Sequence, residues 1–105
     1  MHRGEVWWAE LPGPAGRRPV LLLSREAAYK VRSSITAAVI TRTIRSIPVE
    51  VTLGKEDGMT VKCAVNLDKI ITIPKPLLIE CITSLSLEKM GAVARAISFA
   101  LDLRL

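Results

Sequence analysis

Arg17-Arg18-Pro19-Val20-Leu21-Leu22-Leu23-Ser24-Arg25 decides how this 105-residue chain is read. The centre of the stretch is apolar at every position. It has no wet face, and is predicted as a strand buried on both sides. Pro19 has no backbone N–H to donate, which suits the first residue of a strand, and it holds Arg18 extended. Arg18 is therefore a cation at the rim of a rigid element, where a site is expected. Its plainer role would be a solvated charge flanking a core strand.

Upstream, residues 5–11 alternate as a first strand, with Val6 and Trp8 on one face and Trp7 and Ala9 on the other. Adjacent tryptophans cannot share a face, so one is expected to anchor the core and the other to offer a stacking or interface surface. Pro12-Gly13-Pro14-Ala15-Gly16 is a loop. Downstream, residues 26–32 form one or two helical turns. Residues 35–42 form a β-branched third strand in which Ala37, Val39 and Thr41 share a face. A basic loop ends at Pro48, and Val49, Val51 and Leu53 alternate with Glu50 and Thr52 in a half-exposed strand. Gly54-Lys55-Glu56-Asp57-Gly58 supplies a turn with an Asp-Gly pair. Two separate strands are expected at 62–67 and 69–73, then a break at Pro74-Lys75-Pro76 and a last strand at 78–85.

The period then changes to helical. Ser86 is the N-cap, and Glu88 meets the helix dipole in the first turn. Leu87, Met90, Val93, Ala94, Ile97 and Leu101 form one apolar stripe, expected to cover the sheet. Ala92, Ala96, Phe99 and Leu103 form a surplus patch nearly opposite, which points to a self-paired dimer or to a covering loop. Many short strands with Gly/Pro turns and one terminal helix predict a mainly β, barrel-like single domain over 1–105.

Composition narrows the class. Half of the residues are hydrophobic and mean hydropathy is +0.33, as expected of a globular chain. No apolar run approaches the ~18 residues of a membrane span. The N-terminus lacks an apolar signal segment, so a cytoplasmic, non-membrane protein is expected. Cys63 and Cys81 are expected to be buried free thiols in a reducing compartment. With one histidine they cannot make the roughly four ligands of a zinc site. Net charge is +5 with a pI near 9.7, which favours a polyanionic partner, most often nucleic acid.

Neither G-x-S-x-G nor a P-loop occurs, and His2 alone cannot build a cysteine–histidine constellation. What remains at strand ends is Arg18, Ser24, Arg25, Thr41, Arg42, Thr43, Arg45, Asn66 and Asp68. Arginines and hydroxyls bind phosphate and stabilise charge. They support chemistry when the substrate carries its own nucleophile, and RNA does in its 2′-hydroxyl.

Arg3-Gly4-Glu5-Val6-Trp7-Trp8, Arg18-Pro19-Val20-Leu21, Ile40-Thr41 after an apolar strand, and Val65-Asn66-Leu67-Asp68-Lys69-Ile70 before Thr72-Ile73-Pro74-Lys75 run in order along the chain, with the Ser86-Leu87-Glu88 helix start after them. In this the chain resembles the MazF/PemK-type toxins of bacterial toxin–antitoxin pairs. The resemblance implies a small SH3-like barrel of the MazF/CcdB type that forms a homodimer. It implies a metal-independent, cofactor-free endoribonuclease that cuts single-stranded mRNA at specific sequences, leaving 2′,3′-cyclic phosphate and 5′-hydroxyl ends. It also implies a cognate antitoxin, whose acidic, partly disordered tail would wrap the basic groove.

Residue by residue, Arg18 falls on the family's catalytic arginine and Thr41 on its catalytic threonine. Asp68 falls where an acidic residue commonly lies near RNA, and Ser24 where small polar residues are usual. Arg42, Thr43, Arg45 and Asn66 complete the expected RNA-binding set, with Lys30 and Arg32 as further phosphate contacts. Two departures stand out. The first loop is short and contains no acid, so the general base is open among Glu26, Asp68, His2 and water. Asp68-Lys69-Ile70-Ile71-Thr72 also lacks the arginine of the usual D-x-I-R-T. Two other readings remain: a CcdB-like gyrase-poisoning toxin, disfavoured by a C-terminus with no tryptophan, and a nucleic-acid-binding module that does not cut.

Overall fold

The computed structural model describes residues 1–104. Six strands make one curled antiparallel sheet: β1 (Glu5–Leu11), β2 (Gly16–Leu22), β3 (Ser34–Thr41), β4 (Glu50–Leu53), β5 (Cys63–Pro74) and β6 (Leu78–Ser84). Their spatial order is β4-β5-β3-β2-β1-β6. A single turn of helix, α1 (Ala28–Val31), follows β2, and α2 (Leu87–Ala100) closes the fold.

β2 lies near the middle of the sheet, and its alternation feeds two cores. Leu21 and Leu23 join one with Val6, Ile40, Val65 and Val93 of α2. Val20 and Leu22 join the other with Ala9, Ile35, Ala37 and Ile73. This is why the segment shows no polar face: each side of the strand meets packed hydrocarbon, and each fully buried Leu or Val contributes roughly 1.5–3 kcal/mol. Charge returns where burial stops, and Arg17 and Arg18 are exposed.

The two expected strands at 62–67 and 69–73 are one 12-residue strand. Its pairing with β3 jumps from Val39↔Asn66 to Ala38↔Ile70, leaving Leu67, Asp68 and Lys69 as an out-of-register bulge. The polar pair that looks like a turn in sequence bends the strand without ending it. The two sheet edges meet without pairing. Thr83 Oγ1 on β6 donates to the Asp57 carbonyl at 3.0 Å, in the turn after β4.

Ser86 Oγ accepts from the Lys89 N–H at 3.1 Å, the cap expected at the start of α2. The apolar stripe is corrected. The sheet takes the inner edges of both predicted patches, burying Val93 and Ala96, with Met90, Ile97 and Ala100 half-buried beside them. Leu87 is 93% exposed, and Phe99, Leu101 and Leu103 are also exposed. A small sheet presents a narrow face, so only the sector midway between the patches reaches it.

Two smaller expectations also change. Neither tryptophan is fully buried: Trp7 packs against the second core and donates from Nε1 to Glu5 Oε1 at 3.0 Å, while Trp8 lies under the Arg17 guanidinium, 5.3 Å from its ring centre. Cys63 is a buried free thiol as expected, but Cys81 is exposed, because β6 is an edge strand.

Candidate active site

The register of β2 against β3 pairs Val20 with Val39 and Leu21 with Ala38. Continued two residues toward the start of β2, it sets Arg18 opposite Thr41. Both side chains line a cleft of about 920 Å³, walled by the Pro12–Ala15 turn, the end of β3 and the second half of β5. Thr43, Arg45, Asn66, Lys69 and Thr72 also line it, among apolar groups such as Leu11, Val39, Ile71 and Leu77. A second cleft of about 420 Å³ opens on the other side of the same rim, bounded by Trp8, Arg17, Arg42 and Val61. Arg18, Thr41 and Thr43 line both clefts. They form a shared ridge.

Each ridge group is aimed. Arg18 Nε donates to the Ala15 carbonyl at 3.0 Å, which leaves the two terminal nitrogens free for a bidentate anion. Thr41 Oγ1 accepts from the Thr43 N–H at 3.1 Å, so its own hydrogen is free to point outward and donate. Donors fixed in this way stabilise charge that develops on a phosphate without reorganising.

Arg45 is placed by a residue that sequence reading passed over. Glu50 Oε1 accepts from the Arg45 N–H at 2.8 Å and the Ser46 N–H at 3.1 Å, with Ser46 in the left-handed region at φ 55°. The strand's alternation made Glu50 look solvent-facing. Lys69 was also missed, because the bulge that turns it into the cleft cannot be read from its neighbours.

Other candidates stand apart. Ser24 lies six residues along from Arg18, roughly 20 Å in an extended chain, and its Oγ accepts from the Thr36 N–H at 2.8 Å. Lys30 and Arg32 are exposed around α1, beyond that far end. Asp68 is exposed on the bulge and lines neither cleft. His2 and Glu26 pair with each other, Nδ1 to Oε2, at 2.9 Å, and Glu26 Oε1 accepts from the Arg3 N–H at 2.8 Å. The hydrogen bond from His2 holds the Glu26 carboxyl below the usual range, which makes it a weaker base. Among the described residues no carboxylate or imidazole lines either cleft. Nor do three His, Cys, Asp or Glu side chains gather as a metal-ligand set. Both thiols are pushed above their ordinary value, by desolvation first, which favours the protonated form.

Comparison with known proteins identifies the family and the fold. Residues 2–101 match the family model described as the PemK-like, MazF-like toxin of type II toxin–antitoxin systems. The Probable endoribonuclease MazF5 of Mycobacterium tuberculosis (strain ATCC 25618 / H37Rv) is 38% identical over 101 residues, covering 95% of this chain and 92% of the relative. A solved mycobacterial endoribonuclease in complex with its cognate antitoxin superposes with a TM-score of 0.89 at 30% identity, over 100% of this chain and 98% of that one. The Mycobacterium tuberculosis toxin MazF-mt6 gives 0.89 at 33% identity, over 96% and 99%. On a match that runs through every strand and the closing helix, the chain belongs to the PemK-like, MazF-like toxins of type II toxin–antitoxin systems.

Proposed function

We propose that this toxin is an endoribonuclease that cuts single-stranded mRNA on the Arg18–Thr41 ridge. The carrying observation is that these two donors line one cleft, each with its remaining hydrogens free. In the reaction the ribose 2′-oxygen attacks the adjacent phosphorus and the bond from phosphorus to the 5′-oxygen breaks. The products are a 2′,3′-cyclic phosphate and a 5′-hydroxyl. Arg18 and Thr41 hold the non-bridging oxygens as negative charge builds there. With no carboxylate or imidazole among the described cleft residues, we route the 2′ proton to water, and the departing 5′-oxygen takes its proton from water. Arg45, Lys69 and Thr43 in one cleft, with Arg42 in the other, hold the strand's flanking phosphates.

The toxin works as a homodimer through the Phe99 edge left uncovered on α2. It is neutralised in the cytoplasm by an antitoxin whose acidic tail lies over the +5 chain's basic clefts.

The test is end-mapping on a long defined RNA. Arg18→Ala and Thr41→Ala are each expected to lower the cleavage rate about a hundredfold or more, as loss of one fixed donor does. Thermal stability should hold, since Arg18 is exposed and Thr41 half-buried. Deoxyribose at the cut position should block cleavage. Normal cutting by both variants, or cutting of DNA, would falsify the mechanism. Binding without any cyclic-phosphate product would mark a non-cutting module.

A further inference from the structure

Asn66 is 6% exposed and is the buried polar residue of the described core, yet it lines the cleft beside Arg18. Its amide has a fixed orientation. The Asp68 backbone N–H donates to Asn66 Oδ1 at 2.9 Å, and because a backbone N–H can only donate, the oxygen must face the bulge. The Nδ2 end therefore points the other way. No acceptor among the described residues takes its hydrogens, and the side-chain polar atoms fully buried without a partner are the Tyr29 hydroxyl and Glu50 Oε2. Asn66 Nδ2 is thus an open donor on the cleft wall.

The surroundings suit a flat base more than a phosphate. Val39 lies directly across from Asn66 on β3, and Leu11, Ile71 and Leu77 add apolar wall. The polar side chains lining the cleft are cations and hydroxyls, with no carboxylate among them, and Glu50, across from Asn66 on β4, accepts through Oε1 from the Arg45 and Ser46 N–H groups. A base amino group turned toward Asn66 Nδ2 would set donor against donor there. A keto oxygen would be accepted, and the cost of leaving a desolvated amide unpaired makes this discriminating.

We propose that Asn66 selects uracil or guanine over cytosine or adenine at one position next to the cut, by donating from Nδ2 to uracil O4 or guanine O6, where cytosine and adenine carry an amino group. The inference rests on the endoribonuclease reading and adds to it the base class taken by the cleft. Single-stranded RNA is read in this way, on the edges of bases splayed out of their stack.

The experiment sequences the cut ends of a random single-stranded RNA pool treated with wild type, Asn66→Asp and Asn66→Ala. Asn66→Asp keeps an oxygen for the Asp68 N–H, so a residue that merely caps the bulge would leave the cut sites unchanged. The expected result is a uracil-or-guanine preference of about tenfold at one adjacent position in wild type, abolished or reversed in Asn66→Asp and abolished in Asn66→Ala. Wild-type sites without that preference, or an unmoved preference in Asn66→Asp, overturn the inference while the endoribonuclease reading stands. Failure of wild type to cut any RNA removes both.

Where a variant does not cut, binding of an RNA blocked by 2′-deoxyribose at the mapped site replaces cleavage. A uracil-to-cytosine change should weaken binding about tenfold for wild type, leave Asn66→Ala indifferent, and leave Asn66→Asp indifferent or favouring cytosine. Equal weakening in all three overturns the inference.

Discussion

Tyr29 packs in the second core with 7% exposure, and its hydroxyl is buried without a partner among the described residues. Burial pushes this phenol up to about 12. The folded protein therefore holds the proton more tightly than the unfolded chain, whose tyrosine titrates near 10. The resulting stability is complete below pH ~10 and is lost as pH rises from there toward ~12. Between pH 9 and 11.5 the wild type should lose about 2 kcal/mol more than Tyr29→Phe in guanidinium unfolding. Equal losses would show that the hydroxyl titrates as it does in water. Glu50 acts at the same scale but on the site. Glu50→Ala frees the Arg45–Ser46 backbone it clips, so KM for RNA should rise roughly tenfold with kcat little changed. Glu50→Gln, which keeps the accepting oxygen, should restore KM, and an Ala variant with unchanged KM would refute the positioning role.

Among elements, the turn after β4 closes the sheet and anchors the helix together. Lys89 Nζ donates to the Thr52 carbonyl at 2.7 Å and lies 3.6 Å from the Asp57 carboxylate, latching α2 to the end of β4. Beside it Gly58 sits at φ +90°, where a Cβ would fall 2.3 Å from Thr83 Oγ1. Gly58→Ala combines a left-handed backbone with a clash against the hydroxyl that ties β6 to this turn. A loss of about 2–3 kcal/mol is expected, measured as a lower urea midpoint. Little or no loss would mean that the two edges close without this contact. The Asp-Gly pair was legible as a turn because only glycine takes this conformation easily. Its role in joining β4 to β6 was not, since Thr83 lies 25 residues further along the chain.

For the whole molecule, the apolar side chains left uncovered on α2 are the feature to explain. Phe99 is 62% exposed on one edge of α2 and Leu87 93% on the other, with the sector between them already filling the core. A second copy of the chain is the proposed cover. Phe99→Glu should leave the fold intact and convert a dimer into a monomer in sedimentation equilibrium at micromolar concentration. A wild type that sediments as a monomer would refute the dimer. Helical periodicity finds apolar sectors, but which of them meets the sheet depends on how wide a face six curled strands present.

Sequence alone determined the β-rich class, the doubly buried strand through Val20–Leu22, the cap at Ser86 and the choice of Arg18 and Thr41 as the candidate pair. Each of these is carried by local rules: alternation, a proline's fixed backbone, a hydroxyl before a helical period, or a short motif that resembles a known family. The tertiary structure decided what depends on residues far apart in the chain. The β2–β3 register and the β5 bulge bring Arg18, Thr41, Asn66 and Lys69 to one cleft and leave Ser24, Glu26 and Asp68 outside it. Strand direction is written in each residue's immediate neighbours, whereas the contents of a cleft are set by hydrogen-bond register summed across the whole sheet.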